Sequence, residues 1–464
     1  MSKSSRILTN GRKTLGSSRR GFLRNGMALG AGASVMSSMG ISKALAQSSG
    51  DYKAMVCIFL YGGNDSFNML VPRSNSAYQQ YATARQTLAV DQSALLPLTA
   101  LSPDGNEYGF HPGMEAAQNL FQSGNLAIQA NVGALIEPTT RDSYLSETVA
   151  LPPRLFSHND QQDFWQSLAP EAPTPVGWAG RLSDLLAYQN TNQQLSMNIS
   201  LSGANLMQFS SSGLPYNVSP SGVIPLLGVN PEATGTQEQR RAQAYQALLD
   251  KNNVSLFSDE FANTRLQAQA LSGDVGDALA DVAAFNTSFP QGQLGASLNM
   301  VAQLIGASDA LDMSRQIFFV GFGGWDTHSD QADRHPLLLT ELSEAMASFY
   351  SATEELGLQN SVTTFTAADF GRTLTSNGDG SDHGWGGHQL IMGGAVRGQD
   401  IYGVMPEIEI GGPQDSGQGR IIPTTSVDQY GATLARWFGA EENQLSSVFP
   451  NLANFSSTDS GFML

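Results

Sequence analysis

Ala54-Met55-Val56-Cys57-Ile58-Phe59-Leu60-Tyr61 is an unbroken apolar run that stops at Gly62-Gly63. A strand wetted on one face alternates polar and apolar residues. A run without alternation belongs to a strand covered on both faces, the usual state in a parallel sheet. Three similar runs follow, at Leu126–Val132, Gln316–Gly321 and Ser361–Thr366. Helical patterns lie between them, as from Leu337 to Leu356, where apolar residues recur at three and four. Strands alternating with helices predict an α/β fold with a mainly parallel sheet. The 464 residues and 41% hydrophobic content suit one large domain with a substantial core, or two domains. Residues 236–310, rich in Ala, Gln, Leu and Asp, read as a helical insertion or cap. Residues 203–235 and 400–425 are rich in Gly, Pro and Ser and read as long surface connections.

The first 46 residues read differently. Arg19-Arg20 precede a weakly apolar stretch from Met27 to Met39, then Ala44-Leu45-Ala46. Twin arginines, a modest apolar region and a small-residue cleavage site, in that order, predict a twin-arginine export signal cut after Ala46, with the protein periplasmic or secreted. The domain is then expected over 47–464. That route carries folded proteins and suits a chain that acquires a metal beforehand. The one cysteine, Cys57, allows no internal disulfide. Residues 1–46 hold eight Lys or Arg and no acid, so the remainder carries 16 basic against 41 acidic residues, a formal charge of −25. Such a surface repels nucleic acid and anionic lipid. No stretch downstream reaches the roughly 18 apolar residues of a membrane span.

In open α/β sheets, ligands bind beyond the carboxyl ends of the strands, and the chemically able residues fall there. Asp65 follows the first strand. Asp326 and His328 follow the strand around Phe318, Asp369 follows the strand around Phe365, and Asp382, His383 and His388 come on the next loop. Histidines beside carboxylates, with glycines that let the backbone turn, suit a divalent metal such as zinc or manganese. Ser157, in Phe156-Ser157-His158-Asn159-Asp160, precedes a helical pattern and reads as a nucleophile at a helix N-terminus or simply as an N-cap. Arg154, Arg372 and His158 are candidates for holding an anionic group. His111 reads as a satisfied turn residue and His335 as structural. Gly-x-Ser-x-Gly, Walker and His-Glu-x-x-His patterns are absent.

Phe59-Leu60-Tyr61-Gly62-Gly63-Asn64-Asp65, Leu155-Phe156-Ser157-His158-Asn159-Asp160, Gly323-Gly324-Trp325-Asp326-Thr327-His328, Ala368-Asp369-Phe370-Gly371-Arg372 and Ser381-Asp382-His383-Gly384 together resemble the bacterial family called domain of unknown function 1501. The resemblance spans nearly the whole chain after the signal. That family is grouped with the alkaline phosphatase superfamily, which implies a three-layer α/β/α sandwich and two divalent metals flanking a Ser, Thr or formylglycine nucleophile. By that resemblance Asp65 matches the first-strand metal aspartate and Ser157 the nucleophile. Asp326, His328, Asp369, Asp382, His383 and His388 match the metal-ligating types. Phe370 stands where a histidine is expected, and the sulfatase Cys-x-Pro-x-Arg motif is missing. The expectation is an exported hydrolase of small phosphate or sulfate esters holding one or two divalent metals, with the twin-arginine translocase as a partner during export. The alternative is a non-catalytic binding protein of the same fold.

Overall fold

The structure is a computed structural model that describes residues 51–169, 176–224, 234–249 and 256–464. The export signal expected over 1–46 lies outside the described residues.

The central sheet contains β1 (Lys53–Leu60), β2 (Leu126–Gly133), β3 (Asn198–Ser200), β4 (Tyr216–Ser219), β5 (Gly222–Val223), β6 (Arg315–Phe322) and β7 (Val362–Ala368). A hairpin of β8 (Arg372–Ser376) and β9 (Ser381–His383) leaves the sheet before β10 (Gly387–Met392) returns to it, and the short β11 (Ile401–Tyr402) and β12 (Thr425–Ser426) follow. The spatial order is β11-β2-β10-β7-β1-β6-β3-β4-β5, with β12 also on β2. β1 lies between β6 and β7, parallel to both, in registers such as Cys57↔Phe319 and Cys57↔Phe365. β10 is antiparallel to both β7 and β2, so β2 runs with β1 and β10 alone is reversed among these long strands. Reversal puts the start of β10, and His388 with it, at the end of the sheet where β1, β6 and β7 finish.

The unbroken apolar run of β1 is explained by two cores. Ala54, Val56, Ile58 and Leu60 face one side, with Phe121 of α2 (Glu115–Gln122), Leu298 and Val301 of α7 (Gln293–Gly306) and Leu342 and Phe349 of α8 (Gln331–Glu355). Met55, Cys57 and Phe59 face the other, with Phe164 of α3 (His158–Ser167), Leu182 of α4 (Trp178–Leu186) and Leu434 of α9 (Val427–Phe438). Each such side chain contributes about 1.5–3 kcal/mol through removal from water. The fold is mixed α/β with a largely parallel sheet covered by helices on both faces. Among the described residues no helix is long and apolar enough to cross a membrane.

The region expected as an insertion is helical: α5 (Thr236–Leu249), α6 (Leu256–Ala280), then α7. It is not set apart from the sheet, since Val275 and Ala278 of α6 and seven of the fourteen residues of α7 belong to the first core. A further helix, α1 (Asn75–Arg85), ends in the buried Arg85.

Candidate metal centre

The ends of β1, β6 and β7 approach closely because Gly62 permits it. Its φ is +115°, and a Cβ there would sit 2.3 Å from the backbone nitrogen of Asp326. The Gly62 N–H donates to Asp369 Oδ2 at 3.2 Å, tying β1 to β7 at their carboxyl ends. The β8–β9 hairpin pairs Arg372 with His383 across its strands. Helix α3 then brings His158, its first residue, to the same place.

Four side chains converge there. His158 Nε2 lies 3.5 Å from Asp326 Oδ2; His328 Nε2 and His383 Nε2 lie 3.2 and 3.5 Å from Asp326 Oδ1. His328 Nε2 and His383 Nε2 are 2.9 Å apart. Ligand atoms of His158, Asp326 and His383 all fall within 4.8 Å of one another. The other ring nitrogen of each histidine is already engaged. His158 Nδ1 meets Asp369 Oδ2 at 2.6 Å, His328 Nδ1 meets Asp382 Oδ1 at 3.0 Å, and His383 Nδ1 donates to the Phe156 carbonyl at 2.7 Å. A proton held at Nδ1 leaves the Nε2 lone pair facing inward. His158 Nε2 is enclosed without a hydrogen-bond partner.

Arg372, fully buried, donates to Asp326 Oδ1 at 2.8 Å, to the Gly62 carbonyl at 3.0 Å and to the Ser381 carbonyl. Burial works to raise the Asp326 pKa, but the hydrogen bond and charge of Arg372 outweigh it and hold it below the usual value. Asp382 is also lowered: burial opposes, while Asn377 and His328 prevail. The hydrogen bond to Asp369 raises the pKa of His158, whereas burial lowers that of His383. Phe370 packs on both rings, 4.8 Å from His158 and 4.6 Å from His383.

The expected residues therefore divide. Asp326, His328 and His383 meet as ligand candidates. Asp369 and Asp382 stand behind them as hydrogen-bond partners, although Asp369 Oδ1 is buried and unpartnered. His158, expected beside an anion, is a member of the cluster itself. The structure does not bring Asp65 there: its carboxylate is paired with Arg85, both fully buried, and also accepts from Gln331 Nε2. His388 is not brought in either. Its Nδ1 accepts from the Asn131 N–H at 3.1 Å, its ring packs on Phe67, and burial pushes its pKa down to about 3. Ser157 occupies the N-cap position of α3, yet its hydroxyl donates to Asp160 at 2.6 Å. Arg154 is largely exposed and pairs with Asp160 at 3.2 Å. Gln162, which donates to Asp369 at 2.9 Å, and the Phe156 carbonyl carry no sequence signal of their own. His111 accepts from the Gly113 N–H, the satisfied turn role expected of it. A cavity of about 770 Å³ lies elsewhere, among Leu135, Arg141, Gln414, Ile422 and Phe455, and no residue of the cluster lines it.

A family described as "Protein of unknown function (DUF1501)" matches residues 52–425. The chain belongs to this family. Among solved structures, the DUF1501 protein is similar to "Crystal structure of Ps i-CgsB in complex with k-i-k-neocarrahexaose", at 9% identity over 88% of this chain and 77% of that one, with a TM-score of 0.35. A second, "Crystal structure of Ps i-CgsB", gives 9% identity, 87% and 77% coverage and a TM-score of 0.36. Likeness at this level carries no functional information. No curated protein matches the chain.

Proposed function

We propose that the DUF1501 protein is an exported, cation-dependent hydrolase of small phosphate or sulfate esters on an alkaline-phosphatase-like α/β/α framework. The observation that carries the reading is the convergence of three imidazole Nε2 atoms on Asp326, each backed at Nδ1 by a fixed acceptor. Metal-ligating histidines are held this way, because the outer partner sets the tautomer and ring orientation. Around a tetrahedral ion with bonds of 2.0–2.1 Å, neighbouring ligand atoms lie about 3.3 Å apart. Asp326 to each imidazole and His328 to His383, four of the six pairs, are separated by 2.9–3.5 Å, and His158 lies within 4.8 Å of His383. His158, Asp326, His328 and His383 would hold the ion, and a donor set dominated by nitrogen favours zinc over manganese. One ion is proposed rather than two, because the charge of Asp65 is matched by Arg85. A divalent ion there supplies Lewis acidity toward an ester oxygen and water.

The chain adds two things. Asp369, Asp382 and the Phe156 carbonyl keep the imidazoles oriented. The first intrahelical bond of α3 runs from the Gln161 N–H to the Ser157 carbonyl. The N–H groups of His158, Asn159 and Asp160 therefore have no carbonyl partner within the helix and suit a negatively charged oxygen, while the Ser157 N–H is held by the Arg154 carbonyl. Because the Ser157 hydroxyl is given to Asp160, water is the attacking group in this reading. A second reading, a non-catalytic protein binding a ligand at the same face, is favoured by Arg372, whose donors are committed to Asp326, Gly62 and Ser381 rather than to an anion.

The test is metal content of purified wild type and His383→Ala by plasma mass spectrometry, followed by assay with 4-nitrophenyl phosphate and 4-nitrophenyl sulfate. Near one equivalent of zinc in wild type, lost in the variant, with turnover that survives Ser157→Ala, is the expected result. Turnover abolished by Ser157→Ala would restore the serine as nucleophile. Protein that takes up no divalent ion sinks the hydrolase and leaves the binding reading ahead.

A further inference from the structure

The loop that leads into α3 passes through two residues with left-handed backbone, Arg154 at φ 45° and Phe156 at φ 74°. That conformation is an outlier for a bulky side chain and persists only where the surroundings over-determine it. Around Phe156 they do. The Arg420 guanidinium lies 4.3 Å from the ring centroid, and Trp385 meets the ring edge-on at 6.4 Å. The ring packs against a small apolar cluster of Leu135, Trp385, Ile422 and Phe455. Its carbonyl accepts the proton of His383 Nδ1 at 2.7 Å, while Arg420 Nε donates to the carbonyl of His383 at 3.1 Å. One guanidinium thus touches both the ring of the residue that orients the imidazole and the backbone of the residue that bears it.

A neutral imidazole carries one proton, and its position decides which nitrogen keeps a lone pair. Phe370 restricts the tilt of the His383 ring but offers no acceptor, so it cannot choose between tautomers. We infer that Phe156 and Arg420 form a positioning clamp that fixes His383 in its Nδ1–H tautomer, with Nε2 turned toward Asp326 and His328. The inference rests on the metal-centre reading above and deepens it. Neither residue touches the ion or the substrate. The left-handed turn at Phe156 aims the carbonyl, and the cation over the ring keeps the turn in place.

Two readouts test the clamp. The first is ¹⁵N NMR of the His383 ring nitrogens in metal-free protein; the second is zinc affinity, measured by competition with a chromophoric chelator. Wild type and Phe156→Tyr, which keeps the ring, are expected to show the Nδ1–H tautomer alone. Phe156→Ala and Arg420→Met are expected to show a mixture of tautomers and zinc binding weaker by about 10–100-fold, the usual cost of losing an outer-shell partner. Should Phe156→Ala fail to fold, Arg420→Lys keeps the charge without the planar fork, and an intermediate loss is expected. An unchanged tautomer and unchanged zinc affinity in both Arg420 variants would overturn the clamp. If wild type binds no zinc, the metal centre falls, while the tautomer comparison in metal-free protein still decides the clamp on its own.

Discussion

At the same end of one sheet, two groups of nearly the same residue types have opposite characters. In the first, Asp326, His158, His328 and His383 are partly exposed and present their Nε2 atoms to a shared space. In the second, Asp65, Arg85, Gln331 and His335 are enclosed: Arg85 and Gln331 both donate to one oxygen of Asp65, Arg85 also to Asn68 and to backbone carbonyls, and His335 meets Asn64. A cation suits the first because donor capacity is left over. In the second, the carboxylate of Asp65 is taken up by Arg85 and Gln331, and among the described residues no imidazole lies at ion-pair distance from it as three do from Asp326. Strand-end position does not separate a ligand site from a structural ion pair; the number of imidazoles that face the carboxylate across a partly exposed space does.

The comparison can be broken or sharpened by four experiments. Asp65→Ala leaves Arg85 buried without its partner and is expected to cost about 3–5 kcal/mol of stability. Asp326→Ala should cost only about 1 kcal/mol, since the Asp326 side chain is 46% exposed and water can take its place beside Arg372. Denaturant melts of the two variants settle this, and equal losses would erase the distinction. Asp369→Asn removes the carboxylate behind His158 and should weaken zinc binding by about 10–100-fold, read by chelator competition; unchanged affinity would make Asp369 a strut and nothing more.

The third experiment is a pH series on metal-free protein. His388 is lowered to about 3 and His111 and His335 to about 4, chiefly by burial, from an ordinary 6.5. Below pH 6.5 the unfolded chain takes up protons that these folded residues refuse, so stability falls with acidification, by about 1.4 kcal/mol per pH unit for each proton. His158, raised by Asp369, works the other way: its contribution is full below pH 6.5 and fades as pH rises through its elevated folded value. Melts from pH 8 to 4 should therefore steepen toward acid, and His388→Phe should flatten the slope. The fourth is the smallest: Arg154→Ala, at an exposed pair, is expected to change stability by less than about 0.5 kcal/mol and zinc binding not at all.

Much of the frame was legible because burial on both faces leaves an unmistakable pattern. The four apolar runs are β1, β2, β6 and β7, each within a residue or two. β10 was not foreseen: Gly387-His388-Gln389-Leu390-Ile391-Met392 is short, opens after glycines and carries two polar residues, so it reads as loop. Its reversal brings His388 to the site end of the sheet, where the ring is turned into the interior against Phe67 and the Asn131 N–H. His328 and His383 were found as ligand candidates because glycine-flanked Asp and His at strand ends are visible in sequence. His158 was placed beside an anion rather than in the cluster, since nothing local reveals that the helix start bearing it meets Asp369, 211 residues away. The partner of Asp65 was missed for the same reason: Arg85 sits at the end of α1 with no mark of burial in its neighbours. The left-handed turn at Phe156 lies in a segment without the glycine that would have announced it.

The links that build the cluster join distant parts of the chain. His328 meets His383 across 55 residues, His158 meets Asp369 across 211, and Gly62 meets Asp369 across 307. Closing loops of that length is slow and comes after local structure has formed. A nascent chain or a partly folded one owns the histidines but not the coordination shell. If the cluster takes an ion as proposed, its capture would be the last event in this protein's assembly, and an occupied centre would certify that its first strand and its final third have docked.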